Sequence, residues 1–328
     1  MAIKLDSIDR KLINIMQSEF PLVREPFADM GTRLGLTGQE VLQRAGRLRD
    51  ERIVRIIGPV FNSRTLGYQS TLVAMRVPED KVEYAAEIIN AHHGVGHDYQ
   101  RDHYYNIWFT LAIRGDSELN QTLREFEEAI RPEKMLELRA VRLFKIRLFF
   151  DLENNGGHFE DAGRTEASSA PVILTDTERA VINEVQQQLP LTPRPFDGMS
   201  ENLDMEVLDF LSVCRSLLGR SIMRRFGASI EHQNAGFTAN AMVCWAVPSE
   251  RVNEAGRTMA GFREVTHCYE RDTSPDWPRF NMFTMIHGST TEENERTVSR
   301  MAEATAISDY EILSTVREFK KERVKYSV

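Results

Sequence analysis

The sequence predicts an α+β protein in which one plan occurs twice: a winged helix-turn-helix followed by a ferredoxin-like domain of order βαββαβ. Three observations predict it. The start of the 328-residue chain recurs at an ungapped spacing of 169 residues. Each half opens with apolar residues at helical spacing, and each then continues with alternating strand and helix patterns. At about 150 residues per domain, the chain has room for roughly two units with cores of their own.

The internal repeat rests on shared residues. Residues 5–27 match residues 174–196 at many identical positions, and HDYQRD at 97–102 returns as HCYERD at 267–272. Residues 151–171 are rich in Gly, Ser, Asn and acidic residues, so we predict a flexible linker. The predicted units are a winged helix-turn-helix at 1–64, a ferredoxin-like domain at 65–150, the linker at 151–171, a degenerate helix-turn-helix at 172–233 and a second ferredoxin-like domain at 234–328.

The helix-turn-helix is predicted from periodicity and capping. Apolar residues recur at helical spacing after Leu5, a short helix fits residues 27–34, and Gly35 makes the turn. Thr37 and Glu40 form a capping box ahead of the next helix, and residues 53–61 form the wing strand. The second copy opens with its own box, Thr175 to Glu178, but residues 202–205 replace the turn. We therefore expect its later helices to be eroded.

The ferredoxin-like order follows in each half. In the first half, strands are predicted at 69–77, 95–103, 105–114 and 135–150, with helices at 78–91 and 116–130. In the second half, strands are predicted near 237–247, 264–272, 280–287 and 307–316, with helices from Ser249 and from Thr291. This repetition of the same order makes two ferredoxin-like sheets the expected architecture.

Composition excludes several classes of protein. Lys+Arg is 41 against Asp+Glu 49, a net charge of -8, so nucleic-acid binding would need a local basic patch. No apolar run is long enough for a membrane helix, and the first residues lack a targeting pattern, so we expect a cytoplasmic protein. The three cysteines form no C-x-x-C pair and fit reduced thiols.

Neither face of the strand predicted at 95–103 is apolar near its end, since polar side chains at 98, 100 and 102 occupy one face. Alternation along 97–103 places His97, Tyr99, Arg101 and His103 together on the other face. The second half repeats this face with His267, Tyr269 and Arg271. A sheet strand normally turns an apolar face to the core, so these faces predict a polar cavity lined by titratable groups.

The neighbouring strands are aromatic. Phe109 and Phe283 alternate in a way that favours core packing, and Trp108 fits core packing or a ligand platform equally well. Trp277 lies in the sequence Pro-Asp-Trp-Pro, a rigid loop in which a large ring needs a partner surface.

These residues carry a resemblance to a known family. The helix-turn-helix and ferredoxin-like order resembles the Lrp/AsnC regulators. The blocks at 97–110 and at 265–271 with 275–288 resemble the two subunit types of siroheme decarboxylases, here fused in one chain. The resemblance implies removal of carbon dioxide from two acetate side chains of siroheme. The product would be 12,18-didecarboxysiroheme, on the route to heme d1 or, elsewhere, to heme. It implies no added cofactor, since the iron belongs to the substrate.

Site roles follow from the residues and this resemblance. His97 and His267 are the expected catalytic residues, as general acids of near-neutral pKa that protonate the new methyl carbon, with His103 and His287 as alternatives. A histidine could instead ligate the substrate iron, so both roles stay open, and no metal site of the protein itself is expected. Arg101 and Arg271 would bind carboxylates, with Arg225 and Arg142 behind them. The expected substrate-binding residues are Tyr99, Arg101, His103, Trp108, Tyr269, Arg271, Trp277 and His287.

Two other functions remain open. A DNA-binding regulator would use Arg44, Arg47 and Arg49 on the second helix of the motif, but the second copy lacks a recognisable recognition helix. We therefore expect DNA binding to be weak or absent. A tetrapyrrole carrier would bind in the same cavity without turnover. A homodimer, or pairing with homologous subunits, is left open, and no membrane partner is expected.

Overall fold

The computed structural model describes residues 5–146, 171–230 and 239–328. Each half begins with three helices and a strand. These are α1 (Ser7–Ser18), α2 (Pro26–Leu34), α3 (Gly38–Asp50) and β1 (Val54–Phe61) in the first half. The second half repeats them as α6 (Asp176–Val185), α7 (Asp197–Glu201), α8 (Val207–Gly219) and β6 (Met223–Ile230). Both predicted capping boxes are present, since Thr37 and Glu40 start α3 and Thr175 and Glu178 start α6.

The two helix-turn-helix units share one core. Their apolar faces merge into a single buried cluster that includes Phe20, Phe27, Phe196 and Phe226. Strands β1 and β6 pair antiparallel as a two-stranded ribbon in which Gly58 lies opposite Gly227. The two halves are therefore joined here by continuous packing and by backbone hydrogen bonds.

The second helix-turn-helix keeps both later helices, but α7 has five residues where α2 has nine. Helix α8 occupies the position of α3, because Phe210, Leu211 and Leu217 keep an apolar face against the common core. Helix α8 differs from α3 in having fewer basic residues. Arg215 is its one basic residue, and its guanidinium donates to the backbone oxygen of Leu22.

The ferredoxin-like halves follow the predicted order. The first contains β2 (Tyr68–Arg76), α4 (Val82–Ala91), β3 (Val95–Arg101), β4 (Ile107–Arg114), α5 (Asp116–Ile130) and β5 (Lys134–Ile146). The second contains β7 (Ala239–Trp245), α9 (Val252–Gly261), β8 (Val265–Arg271), β9 (Met282–Gly288), α10 (Thr291–Thr305) and β10 (Tyr310–Lys321). No helix in the described parts of the chain is both long and apolar enough to cross a membrane.

The two sheets close into one eight-stranded barrel of order β10-β3-β4-β2-β5-β8-β9-β7. Each half contributes its last strand to the other half, since β5 pairs with β8 and β10 with β3. Exchanging the halves shifts every strand by half the circumference, so a pseudo-two-fold axis runs along the barrel axis. Equivalent residues of the two halves therefore face each other at the same level.

A lysine on each of the exchanged strands β10 and β5 bonds to the other half of the chain. Lys320 on β10 donates to the backbone oxygen of Asn90 at the end of α4, at 2.9 Å. Lys145 on β5 donates to the backbone oxygen of Phe262 after α9, at 2.7 Å. Each cation satisfies carbonyl groups at a helix C-terminus of the opposite half.

Strand β3 is shorter than the sequence predicts. Strand β3 ends at Arg101, not at His103, because the chain turns there and the backbone N–H of His103 bonds to the oxygen of Arg101 at 2.9 Å. The face shared by His97, Tyr99 and Arg101 therefore does not extend to His103. The predicted linker lies outside the described residues except for Pro171.

Candidate active site

Equivalent side chains of β3 and β8 point into the barrel. The His97 ring is stacked on Tyr99 with centroids 6.3 Å apart, and the Arg101 guanidinium lies 5.2 Å from the Tyr99 ring centre. In the second half His267 stacks on Tyr269 at the same 6.3 Å, and Arg271 lies 4.8 Å from the Tyr269 ring. The barrel thus contains two copies of one His-Tyr-Arg row facing each other.

The two arginines are buried cations held by neutral groups. Arg101 donates to the backbone oxygen of Leu313 and to Thr315 Oγ1, at 2.9 and 3.1 Å. Arg271 donates to the backbone oxygen of Leu138 at 2.9 Å. Neither arginine forms an ion pair with a carboxylate of the described residues, and both Nε atoms lack a partner there. Burial lowers the pKa of each to about 10, so both stay charged at neutral pH.

The two histidines face the space between the two His-Tyr-Arg rows, which we call the chamber. Burial lowers the pKa of His97 to about 4, with smaller effects from His267, Lys321 and Arg55. The pKa of His267 is also lowered to about 4, by burial and then by Arg271 and Lys145. The His97 side chain is nevertheless open to a water-sized probe. A side chain that is accessible yet desolvated lines a space surrounded by protein.

These pKa values differ from the expectation for a general acid. At neutral pH both imidazoles are uncharged in the substrate-free chamber, because burial disfavours the imidazolium and the charged groups of the described residues that act on them are cations. Polyanion binding would supply the missing charge and raise both pKa values.

Sequence reasoning missed most cations at the end of the barrel next to the ribbon. There the ribbon β1–β6 and the C-terminal residues come close to His97 and Tyr269. The cations that act on these groups or on one another are Arg55, Arg64, Arg224, Arg225, Lys321 and Arg323. One signal could have found a pair of them, because Arg55 and Arg224 are separated by the repeat spacing of 169 residues.

Three predicted substrate-binding residues pack against one another. The Trp277 ring is 5.3 Å from the rings of His103 and Trp108, and Trp108 lies directly opposite Tyr99 in the pairing of β3 with β4. Trp108 is 1% exposed and donates to the backbone oxygen of Tyr105 at 2.7 Å. His103 Nε2 lies 3.0 Å from Glu311. The partner surface expected for Trp277 is therefore the first half of the same chain.

The remaining candidates lie inside the barrel, on its outer face and in the ribbon. His287 follows Phe283 at alternating positions on β9, and this places it on the inner face. Arg142 lies on the outer face, 3.4 Å from Glu270 and hydrogen bonded to Asn253. Arg225 lies in the ribbon and donates to the backbone oxygen of Gln17.

Comparison with known proteins decides the family. A family model for an AsnC-like ligand binding domain matches residues 65–145 and 234–320. A second model, for a siroheme decarboxylase NirDL-like HTH domain, matches residues 9–55 and 178–224. The siroheme decarboxylase of Hydrogenobacter thermophilus is 38% identical over 321 residues, which cover 96% of this chain and 94% of that protein.

The chain belongs to the siroheme decarboxylase family. A crystal structure of the siroheme decarboxylase NirDL in co-complex with an iron-uroporphyrin III analogue matches with a TM-score of 0.75 and 35% identity, covering 98% of this chain and 95% of that one. The siroheme decarboxylase beta subunit of Methanosarcina barkeri is 43% identical over 152 residues, 46% of this chain and 99% of that subunit. This family member therefore joins in one chain two units that are each as long as that subunit.

The histidines of this decarboxylase-family chamber predict an acid-sensitive fold. Their pKa values are lowered from 6.5 to about 4, so the folded state binds fewer protons than the unfolded state between those values. Stability should therefore fall as the pH drops from about 6.5 towards 4. Asp98 has the opposite effect on stability. Burial raises its pKa to about 7, so its carboxyl group favours the folded state as the pH falls.

Thermal unfolding at pH 7 and pH 5 checks this prediction. The Tm of the wild type should fall more than that of a His97→Asn/His267→Asn variant, by about 2–4 °C for an effect on the order of 1 kcal/mol. The expected change in Tm is smaller than the full pKa shift would imply, because solvent reaches His97. His93→Asn, at an exposed site after α4, is the control. Equal Tm changes in the double variant and the wild type would contradict the assignment.

Proposed function

We propose that this chain decarboxylates siroheme, removing carbon dioxide from two acetate side chains to give 12,18-didecarboxysiroheme. The observation that carries the proposal is the pair of His-Tyr-Arg rows facing each other inside one barrel, with buried arginines that no carboxylate of the described residues neutralises. Family membership agrees with this chemistry. A carboxy-lyase with a polyanionic substrate needs such a chamber.

Substrate binding follows from charge. Siroheme carries eight carboxylates, whereas the chamber presents cations from the barrel, the ribbon and the C-terminal residues. Burying a cation is costly unless an anion joins it, so the substrate supplies the counter-charges that Arg101 and Arg271 lack. The net charge of -8 is no obstacle, because these cations are concentrated inside the protein.

The chemical step breaks one C–C bond and forms one C–H bond. The carboxylate leaves as carbon dioxide, and its bonding electron pair remains on the ring-attached methylene carbon, where the conjugated macrocycle delocalises it. A proton then completes the methyl group. His97 and His267 can deliver that proton once bound carboxylates raise their pKa values from about 4.

The same neutral imidazoles could ligate the substrate iron. Because the two rows lie on opposite sides of the barrel axis, one histidine can face the iron while the other faces an acetate. The chain would then need no further cofactor, since the iron arrives with the substrate.

Anaerobic incubation of the purified protein with siroheme, followed by mass spectrometry of the extracted tetrapyrrole, tests the function. Loss of two carbon dioxide units without added cofactor is the expected result. An unchanged mass with a shifted absorption spectrum would identify a carrier and contradict the proposal.

We also expect DNA binding to be absent or weak, because two of the three α3 arginines are already paired with carboxylates. Arg44 lies 2.8 Å from Asp6 and 2.7 Å from Asp9, and Arg47 lies 2.6 Å from Asp9. Fluorescence anisotropy with duplex DNA should give no specific complex at physiological salt. A D6N/D9N variant should gain salt-sensitive, non-specific affinity. A specific wild-type complex at nanomolar protein would restore the regulator function.

A further inference from the structure

The C-terminal residues after β10 form a wall between the barrel and the ribbon. The backbone N–H of Glu322 donates to the oxygen of Gly96, beside His97, at 2.7 Å. Tyr326 packs against Tyr68 with ring centres 4.8 Å apart and exchanges two hydrogen bonds with Gln186, at 2.8 and 2.9 Å. Residues 322–328 are thus fixed to the first barrel half and to the second helix-turn-helix.

The chain makes room for this wall on one side of the chamber. A Cβ atom at Gly96 would lie 3.1 Å from the oxygen of Glu322 and 3.1 Å from a methyl group of Val324. The repeat places Thr266 at the corresponding position of the second half. The close approach of residues 322–324 is therefore built for the His97 side.

Arg323 is the cation that this wall carries. Its Nη1 donates to the backbone oxygen of Pro59 on β1 at 3.1 Å, and its Nη2 donates to Ser229 Oγ on β6. Its neighbouring charges are Arg225 and Arg55, and Arg55 also acts on His97. Burial and these two arginines lower the pKa of Arg323 to about 9, so it remains a cation at neutral pH.

The partners of Arg323 point to an anionic ligand. Lys321 has a carboxylate 3.8 Å away on Glu318, whereas the hydrogen bonds of Arg323 within the described chain go to neutral oxygens. A partly buried arginine beside other arginines is unfavourable in the empty protein and is stabilised when an anion enters. The ligand class of the chamber, a polycarboxylate tetrapyrrole, supplies that anion.

We infer that residues 322–328 close the chamber beside His97 and that Arg323 binds a peripheral carboxylate of the tetrapyrrole as a specificity-determining residue. This inference rests on the function proposed above. It assigns the carboxylate contact to a segment outside both repeated motifs.

Binding titrations followed by Soret absorbance test the inference on the full chain. Arg323→Gln should raise the Kd for iron uroporphyrin, which has eight carboxylates, by about ten- to hundredfold. It should raise the Kd for heme, which has two, by much less. Arg323→Lys should recover part of the affinity, because it restores the charge but not the bidentate geometry. With siroheme as substrate, Arg323→Gln should raise KM more than it lowers kcat.

The control is Lys325→Gln on the same segment, an exposed cation 3.2 Å from Gln187. It should bind iron uroporphyrin as the wild type does. Wild-type Kd in Arg323→Gln with unchanged Tm would overturn the inference and leave the proposed function intact. Equal losses for heme and iron uroporphyrin, or no rescue by Arg323→Lys, would reduce Arg323 to a structural role. Wild-type protein that binds iron uroporphyrin but never turns over siroheme would overturn the proposed function alone.

Discussion

His97→Ala and His267→Ala should each lower kcat for siroheme decarboxylation by about a hundredfold or more, the range expected for loss of a general acid or of an orienting ligand. Both rings line the chamber beside a tyrosine in the same stacked geometry. Neither packs as a core residue on which the fold depends, so the Tm should change little. Single-turnover decarboxylation under anaerobic conditions measures the effect without interference from product release.

Two comparisons make this result specific. His93→Ala removes an exposed histidine from the end of α4, stacked on His92 away from the chamber, and should leave turnover unchanged. The absorption spectrum of bound siroheme separates the two roles, because loss of an axial ligand changes the iron spectrum whereas loss of a proton donor does not. Unchanged kcat in both chamber variants would remove the histidines from the mechanism.

Local features of the fold were predictable because they depend on short-range patterns. The capping boxes at Thr37 and Thr175 and the βαββαβ order follow from spacing alone. The shared face of His97, Tyr99 and Arg101 follows from the two-residue period of a strand. The same rule failed at His103, because the period says nothing about where a strand ends.

Barrel closure was not predictable in the same way. It depends on the pairing of β5 with β8 and of β10 with β3, between strands far apart in sequence, and on β-bulges that shift their register. The residues that surround the chamber could not be grouped from the sequence for the same reason. Arg55, Arg224 and Arg323 reach it only through the ribbon and the C-terminal residues, so no local pattern groups them with His97. The cover of Trp277 by Tyr105 and Trp108 crosses between halves for the same reason.

Two buried arginines without a carboxylate partner among the described residues are costly for the empty protein. Arg101 is 4% exposed, and its guanidinium bonds to a backbone oxygen and a hydroxyl group contributed by β10. Arg271 repeats the arrangement with β5. Burial raises the pKa of the Cys244 thiol, and both guanidiniums act on it, so two desolvated cations lie near one buried side chain and their burial is costly. Only an anion between or beside them removes that cost.

Arg101→Met and Arg271→Met should therefore each weaken iron-uroporphyrin binding by about ten- to hundredfold without lowering the Tm of the substrate-free protein. A methionine fills much of the volume, and it removes a desolvated charge that has no counter-ion in the described residues. Absorbance titration gives the affinity, and thermal unfolding without ligand gives the Tm.

Arg142→Met is the matched control, because Arg142 lies on the outer face of β5, 3.4 Å from Glu270. It should leave affinity unchanged, since the lost charge is outside the chamber. Normal affinity in both inner variants would contradict the carboxylate assignment. A large drop in the Tm of the substrate-free inner variants would mean that the arginines hold the barrel together. In that case their buried charge would stabilise the fold, and the argument that it is reserved for the substrate would fail.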